Sequence, residues 1–295
     1  MSILTETGAI GKTRRLHKRG KFSLGQLFIW ILLGLGSIVM IAPFYWSIAT
    51  SFKPQVEIAA YPPTWIPQNP TLEHWLGLLN LTTGNFLVFF RNSIFISTTV
   101  TVLVLLTSSI TGYVFAKLEF RGRNKIFYTV LAMMVVPFSI TLIPSYALMV
   151  KFDWINSYWA LIVPILFNPF GIFLMRQFMH TIPDELLDAA RMDGANEFQI
   201  YFKIIIPLCK SGLSALGIFT FIGQWDSFLW PLVILSDVDK FTIPLGLAQF
   251  RGLTGVQVGP LCAAATAAVI PVLIVYFIAQ RSFIEGITLS GMKTG

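Results

Sequence analysis

The chain has 295 residues, 55% of them hydrophobic and only 12% charged, with a mean hydropathy of +0.72 and a formal charge of +7. Soluble domains carry about a quarter charged residues, so this composition excludes an ordinary soluble domain and indicates an all-α, polytopic membrane protein. The basic excess reads as cytoplasmic-side residues of a membrane protein rather than a nucleic-acid surface. Two cysteines, Cys209 and Cys262, are too few for a disulfide framework and are expected as free thiols.

Residues 1–23 read as a basic cytoplasmic tail carrying Lys12, Arg14, Arg15, Lys18, Arg19 and Lys21. Within it GAIGKT, Gly8 to Thr13, ends like a phosphate-binding loop. The motif would need glycine where Glu6 stands, and no strand precedes it. The apolar run that follows is long enough to be kept as a span rather than cleaved as a signal.

Six apolar runs have spanning length: Leu24–Ala49, Phe86–Ala116, Ile126–Val150, Tyr158–Phe178, Leu213–Leu235 and Leu261–Ile278. They define a transmembrane domain over residues 24–283, followed by a cytoplasmic tail, 284–295. An even number of spans puts both termini on one side. The N-terminal tail, the second–third connection (Lys117, Arg121, Arg123, Lys125), the fourth–fifth connection (Arg176, Arg191, Lys203, Lys210) and the C-terminal segment (Arg281, Lys293) hold sixteen of the 21 basic residues. Lys53, Arg91, Lys151, Lys240 and Arg251 lie opposite. That asymmetry predicts cytoplasmic termini.

The first external segment, 52–85, is rich in proline and carries Trp65 and Trp75, which suits an extended path with aromatic anchors at the interface. Span two is dense in small and hydroxylated residues, among them Ser97, Thr101, Thr107, Ser108, Ser109 and Gly112, which permit close helix approach or line a pore. Pro137 and Pro144 in span three, and Pro164 and Pro169 around Asn168 in span four, predict kinks. Span five carries Gln224, Trp225 and Asp226 before Pro231. An ionisable residue there either lines a pathway or is solvated at the interface. The external segment 236–260 is rich in glycine.

Between spans four and five lies a polar elbow, residues 183–212. Pro183 suits a first helical position, with Asp184 and Glu185 at the positive end of the helix dipole. Gly194 can take the left-handed conformation that ends a helix. Asn196 with Gln199 forms a capping-box pattern opening a second helix.

Catalytic chemistry is missing from the pattern. His17, His74 and His180 lie in separate segments, and no spacing suits a metal or a nucleophilic triad. Intramembrane acids are too scarce for a proton relay. Energy for uphill movement would then come from another subunit, with the elbow as its contact.

At the elbow the residues carry a resemblance. DAARMDGANEFQIYFKIIIP, Asp188 to Pro207, resembles the cytoplasmic loop of binding-protein-dependent ABC importer permeases: Ala189 and Ala190 match its alanines, Gly194 its glycine, and Ile204 with Pro207 its close. Asp188 stands where that pattern has glutamate. Ser51–Pro54, Pro62–Trp65, Trp225–Leu232 and the C-terminal FIEGITLSGMKTG resemble the carbohydrate-uptake branch, in particular the smaller permease subunit of maltose-type importers; that branch usually has asparagine where Asp226 stands.

The resemblance implies a subunit of the bacterial inner membrane without its own ATPase site. It would pair with a larger homologous permease, two ATPase subunits that bind the ATP and magnesium, and an external or periplasmic solute-binding protein. It implies an ATPase-coupling surface of Glu185, Asp188, Ala189, Ala190, Asp193, Gly194 and Ala195. Phe198, Tyr201, Ile205 and Pro207 would pack the elbow on its own spans, and Gln224, Trp225 and Asp226 are pathway candidates. The cargo would be an oligosaccharide, with glycerol phosphate or an acidic oligosaccharide as alternatives. An ion-coupled secondary carrier is the reading from a different class.

Overall fold

The computed structural model describes residues 24–79, 85–252 and 255–291; the expected tail, 1–23, lies outside them. The chain divides between Tyr45 and Trp46 into two units. The described part of the first is an apolar helical rod from Leu24 to Tyr45 whose large side chains, Phe28, Trp30 and Val39 among them, are exposed. A soluble protein would not leave such a rod bare, whereas lipid accepts it. Its helix, α1 (Leu24–Ser51), runs on into the second unit, where Ala49, Thr50 and Ser51 are buried.

The second unit is almost wholly helical. Short helices α2 (Gln55–Ile58) and α3 (Glu73–Gly77) shape the proline-rich segment, which is pinned rather than loose. The Glu57 carboxylate accepts from the Thr64 hydroxyl at 2.6 Å and from the Gln68 and Asn69 amides. Those bonds, the Thr64 hydroxyl foremost, hold it below the usual carboxylate range. Helix α4 (Phe86–Lys117) is the central span, opened by the Asn85 side chain accepting from Leu87 N at 2.8 Å.

Next come α5 (Arg123–Met133) and α6 (Phe138–Lys151). The expected third span is therefore two helices bent by 98°. Pro137 sets the break: it lacks the N–H a continuing helix needs and forces an extended residue before α6. Span four is also interrupted. Helix α7 (Trp159–Ile162) passes through a 3₁₀ turn, and α8 (Pro169–His180) restarts at Asn168, whose side chain accepts from Gly171 N at 2.8 Å. The carbonyl of Leu166, left over by the break, accepts from the Thr107 hydroxyl of α4 at 2.8 Å, so the neighbouring helix satisfies it.

The elbow follows as α9 (Asp184–Met192), α10 (Glu197–Ile200), a π-turn over Tyr201–Ile205, and α11 (Ile206–Leu208). Helix α12 (Lys210–Trp225) then ends ten residues before the expected close of span five. A separate α13 (Leu229–Ile234) restarts so that Pro231 falls in its first turn, where no amide is required. Counted by length and apolarity, four helices are long enough to cross a membrane, and up to six spans result if each bent pair, α5–α6 and the 77° pair formed by residues 197–208 with α12, counts as one.

Helix α14 (Ile243–Ala248) and a two-residue antiparallel ladder, β1 (Arg251–Gly252) with β2 (Gly255–Val256), lead to α15 (Val258–Gly291), which carries helix into residues 284–291 where a tail is expected. Segment 236–250 is fastened to the outer end of α4. Asn92 donates to the carbonyls of Asp239 and Phe241, and the Ser93 hydroxyl accepts from Ile243 N at 2.7 Å.

The core is the α4–α8–α12 cluster, with α15 against α12. The small residues of α4 serve packing. Ser97, Ser108, Ser109 and Gly112 are buried, and a Cβ on Gly112 would lie 2.8 Å from Met175 Cβ and 3.0 Å from the Arg176 amide of α8. The two helices meet there backbone to backbone.

Candidate functional site

The elbow is a short amphipathic helix, a left-handed turn and a capped second helix. Pro183 sits one residue before α9, in extended conformation, rather than at its first helical position. Asp184 and Glu185 occupy the first turn as their charge favours. Gly194 has φ +83°, and the Ala195 amide donates to the Ala190 carbonyl at 2.9 Å, closing the helix. Asn196 and Gln199 exchange the two bonds of the capping box, each 2.9 Å.

Burial divides the expected coupling residues. Leu187 is buried and turns α9 onto the core, while Ala190 and Ala195 are half-buried at the turn. Glu185, Asp188 and Ala189 are exposed and, with Met192 (88% exposed), share one face at helical spacing; Asp193 and Gly194 extend it. Met192 is an addition: its unbranched thioether adapts to an irregular partner.

Four further residues tie this face to α4 and α9. Glu197 accepts from the Tyr113 hydroxyl of α4 and, through its other oxygen, from Arg191 Nε at 3.0 Å. Arg191 also donates to Asp188 at 2.8 Å. Glu197 first and then Asp188 hold the Arg191 proton more tightly than usual. Lys117, its side chain almost fully buried, donates to Asp184 and to the Ile182 carbonyl, each at 2.5 Å. That ammonium holds Asp184 below the usual carboxylate range. The partners of these cross-links to α4 lie 65 to 84 residues apart, so no local pattern in the sequence announces them.

Two of the four expected packing residues behave as anticipated and two do not. Tyr201 and Ile205 are buried, and Tyr201 shares a hydrogen bond with Ser109 at 2.7 Å. Phe198 (78% exposed) and Pro207 lie on the surface instead. The α10 turn directs Ile200 and Tyr201 inward, which leaves Phe198 facing out beside a cavity of about 230 Å³ bordered by Tyr113 and Phe202.

The pathway candidates also separate. Trp225 is a core residue: it is buried, stacks on Phe221, and donates from its indole to the Ala268 carbonyl of α15 at 3.1 Å. Asp226 is exposed just beyond the end of α12, where the helix break ends the expected span. Gln224 faces a cavity of about 200 Å³ that also touches Asn168 and Thr220. Both cysteines are free thiols, Cys209 buried and Cys262 half-buried.

This framework can hold, but not catalyse. Among the described residues no three His, Cys, Asp or Glu side chains gather as a metal site would require. The exposed stripe of α9 is instead a rigidly mounted surface, fixed at Asp184, Asp188 and Glu197 and open along Glu185–Met192.

The family profile described as binding-protein-dependent transport system inner membrane component matches residues 108–288, which include the whole elbow. The chain is 38% identical to the arabinooligosaccharides transport system permease protein AraQ of Halalkalibacterium halodurans, over 92% of this chain and 99% of that protein. It is 29% identical to the sn-glycerol-3-phosphate transport system permease protein UgpE of Pectobacterium atrosepticum, over 89% of this chain and 95% of that one. Its fold is similar to that in the crystal structure of a bacterial ABC transporter involved in the import of the acidic polysaccharide alginate, with a TM-score of 0.79 at 23% identity, covering 90% of this chain and 99% of the other.

Proposed function

This chain belongs to the binding-protein-dependent transport system inner membrane components, and from that premise we infer that it is a permease subunit of an ATP-driven importer that moves an oligosaccharide across the bacterial inner membrane. The observation that carries the substrate class is the end-to-end identity to an arabinooligosaccharide permease. The subunit has no ATPase site of its own. ATP and magnesium belong to two partner ATPase subunits, the second half of the pore to a larger homologous permease, and the cargo arrives on an external solute-binding protein.

In this reading the chain crosses six times, with both bent pairs counted as spans and both termini in the cytoplasm. The charge asymmetry of the loops supports that orientation. The Glu185–Asp188–Ala189–Met192 face of α9, with Asp193 and Gly194, docks on an ATPase. Closure of the ATPase pair then displaces the elbow, and the Lys117, Tyr113 and Glu197 ties transmit that displacement to α4. The exposed Trp65 and Ile66 of the proline-rich segment and the segment 236–250 supply the external surface for the binding protein.

Reconstitution of this subunit with its partner permease, the ATPases and the binding protein tests the reading. Oligosaccharide uptake should require ATP and the binding protein together. Uptake that persists without ATP and collapses with an ionophore would establish an ion-coupled carrier instead. The relation to a glycerol-phosphate permease favours one second reading: sn-glycerol 3-phosphate as cargo, recognised by its competition with labelled sugar.

A further inference from the structure

We propose that this subunit itself carries a sugar-contacting wall, made of Asn168, Phe170, Phe219, Thr220 and Gln224 near the middle of the membrane, and that its ligand is a neutral oligosaccharide. The proposal rests on the importer reading above. These residues line the cavity of about 200 Å³ between the start of α8 and the last turns of α12. Thr220 lies ten residues along α12, about 15 Å at 1.5 Å per residue, which is roughly half the hydrocarbon thickness.

Two helix interruptions converge on this cavity: span four breaks just before α8, and α12 stops at Trp225. Broken backbone at membrane depth is tolerated only inside protein or beside a water-filled cavity. The side chains point the same way. Asn168 uses its amide oxygen to cap Gly171, while its amide nitrogen, and both ends of the Gln224 amide, have no partner among the described residues. Thr101, Thr107 and Thr266 each return their hydroxyl to the carbonyl four residues back. Thr220, in the same helical setting, does not. An amide both donates and accepts, as a sugar hydroxyl does. Phe170 and Phe219, perpendicular at 6.0 Å, add ring surface for the apolar face of a sugar ring.

Charge selects the class. No lysine or arginine borders the cavity, so a phosphate or uronate here would sit uncompensated at membrane depth. The volume falls below the roughly 300–1,000 Å³ of pockets that enclose a ligand. This wall is one side of a site whose other side comes from the second permease.

The test uses the complete importer in proteoliposomes, with radiolabelled arabinotriose, xylotriose and maltotriose as neutral probes and sn-glycerol 3-phosphate and an alginate trisaccharide as charged ones. In Gln224→Cys, a membrane-impermeant thiosulfonate should label the protein at least about tenfold faster than the parent with its native Cys209 and Cys262, and the transported triose should slow that labelling. In Gln224→Leu and Phe219→Leu, the triose retained by the vanadate-trapped complex should fall about tenfold, the scale of one lost pairing. Thr220→Val, isosteric, should lose a smaller share.

A Gln224→Cys protein that resists the impermeant reagent would show a wall facing lipid or sealed against the second subunit. That overturns the subsite and leaves the importer reading standing. Retention at the parent level in all three variants does the same. Import of the charged probes alone overturns the neutral class, and a parent complex that imports no probe overturns the importer reading and the subsite together.

Discussion

Glu197 is the residue on which the elbow's attachment turns, and its removal has a magnitude that follows from its contacts. In Glu197→Ala the Tyr113 hydroxyl, on a side chain only 5% exposed, loses its acceptor. A buried donor left unsatisfied costs about 1–3 kcal/mol. The Arg191 contact contributes less, because both side chains are more than a third exposed and exposed ion pairs are worth about 0–1 kcal/mol. The variant should therefore lose about 2–3 kcal/mol, most of it through Tyr113. Glu197→Gln retains an oxygen for Tyr113 and should lose under about 1 kcal/mol. Thermal unfolding of the purified assembly, run as a cycle with Tyr113→Phe, separates the shares. A coupling of about 1–2 kcal/mol is expected, and additivity within about 0.5 kcal/mol would refute the account. Sugar-stimulated ATP hydrolysis should fall in parallel, since a loosened elbow transmits less of the motion.

Gly194 offers a contrast, because nothing lies within 4 Å of where its Cβ would be. The cost of substitution is backbone alone, about 1–2 kcal/mol for an ordinary residue in the left-handed region and less for asparagine. Stimulated ATPase activity should rank glycine, asparagine, alanine, valine, and a valine variant as active as the parent contradicts the turn's role. Gly112→Val acts by contact instead. Its Cβ meets the α8 backbone, so about 1–3 kcal/mol of overpacking should appear as a lower unfolding temperature, and an unchanged one would mean that α4 and α8 separate freely. Asp184 has its carboxyl held low by Lys117; its stabilising share is complete above the ordinary carboxylate range and is lost as pH falls through its depressed value. Limited proteolysis of the elbow should accelerate below about pH 4 in the parent, whereas Lys117→Met should be cleaved readily at neutral pH as well; equal protection of the two at neutral pH would dismiss the tie.

The elbow's shape was legible because its determinants are local. A capping box is read within four residues, and a glycine's freedom belongs to one position. Pro137 likewise announced a break in span three, though not its 98° angle, which depends on what the two halves pack against. Span five misled for a physical reason. The apolar run continues through Pro231, and nothing in it marks the restart at Leu229 that puts this proline in a first turn. Trp225 was legible as a large aromatic near a polar pair but not as a core residue, because its indole partner Ala268 lies 43 positions away. Phe198 was placed inward by its apolarity alone, and in membrane proteins apolarity does not distinguish core from exterior.

The same distant contacts decide how motion at one end can reach the other. Lys117 and Tyr113 fix the elbow to the last turns of α4, and five residues from Lys117, at Gly112, α4 already lies against the α8 backbone. Packed interiors do not deform continuously, so α4 and α8 must shift as a pair. Asn168 starts α8 at the cavity facing Gln224. A displacement of the elbow by a docked ATPase is then delivered at the Asn168–Gln224 wall with little left to absorb it on the way, since α8 runs unbroken from Pro169 to His180. The break before α8, with Thr107 holding the Leu166 carbonyl across it, is where the rest of span four can stay in place. A hinge belongs at that position, between a half-span that follows the ATPase and one fastened outside through Asn156 to segment 236–240.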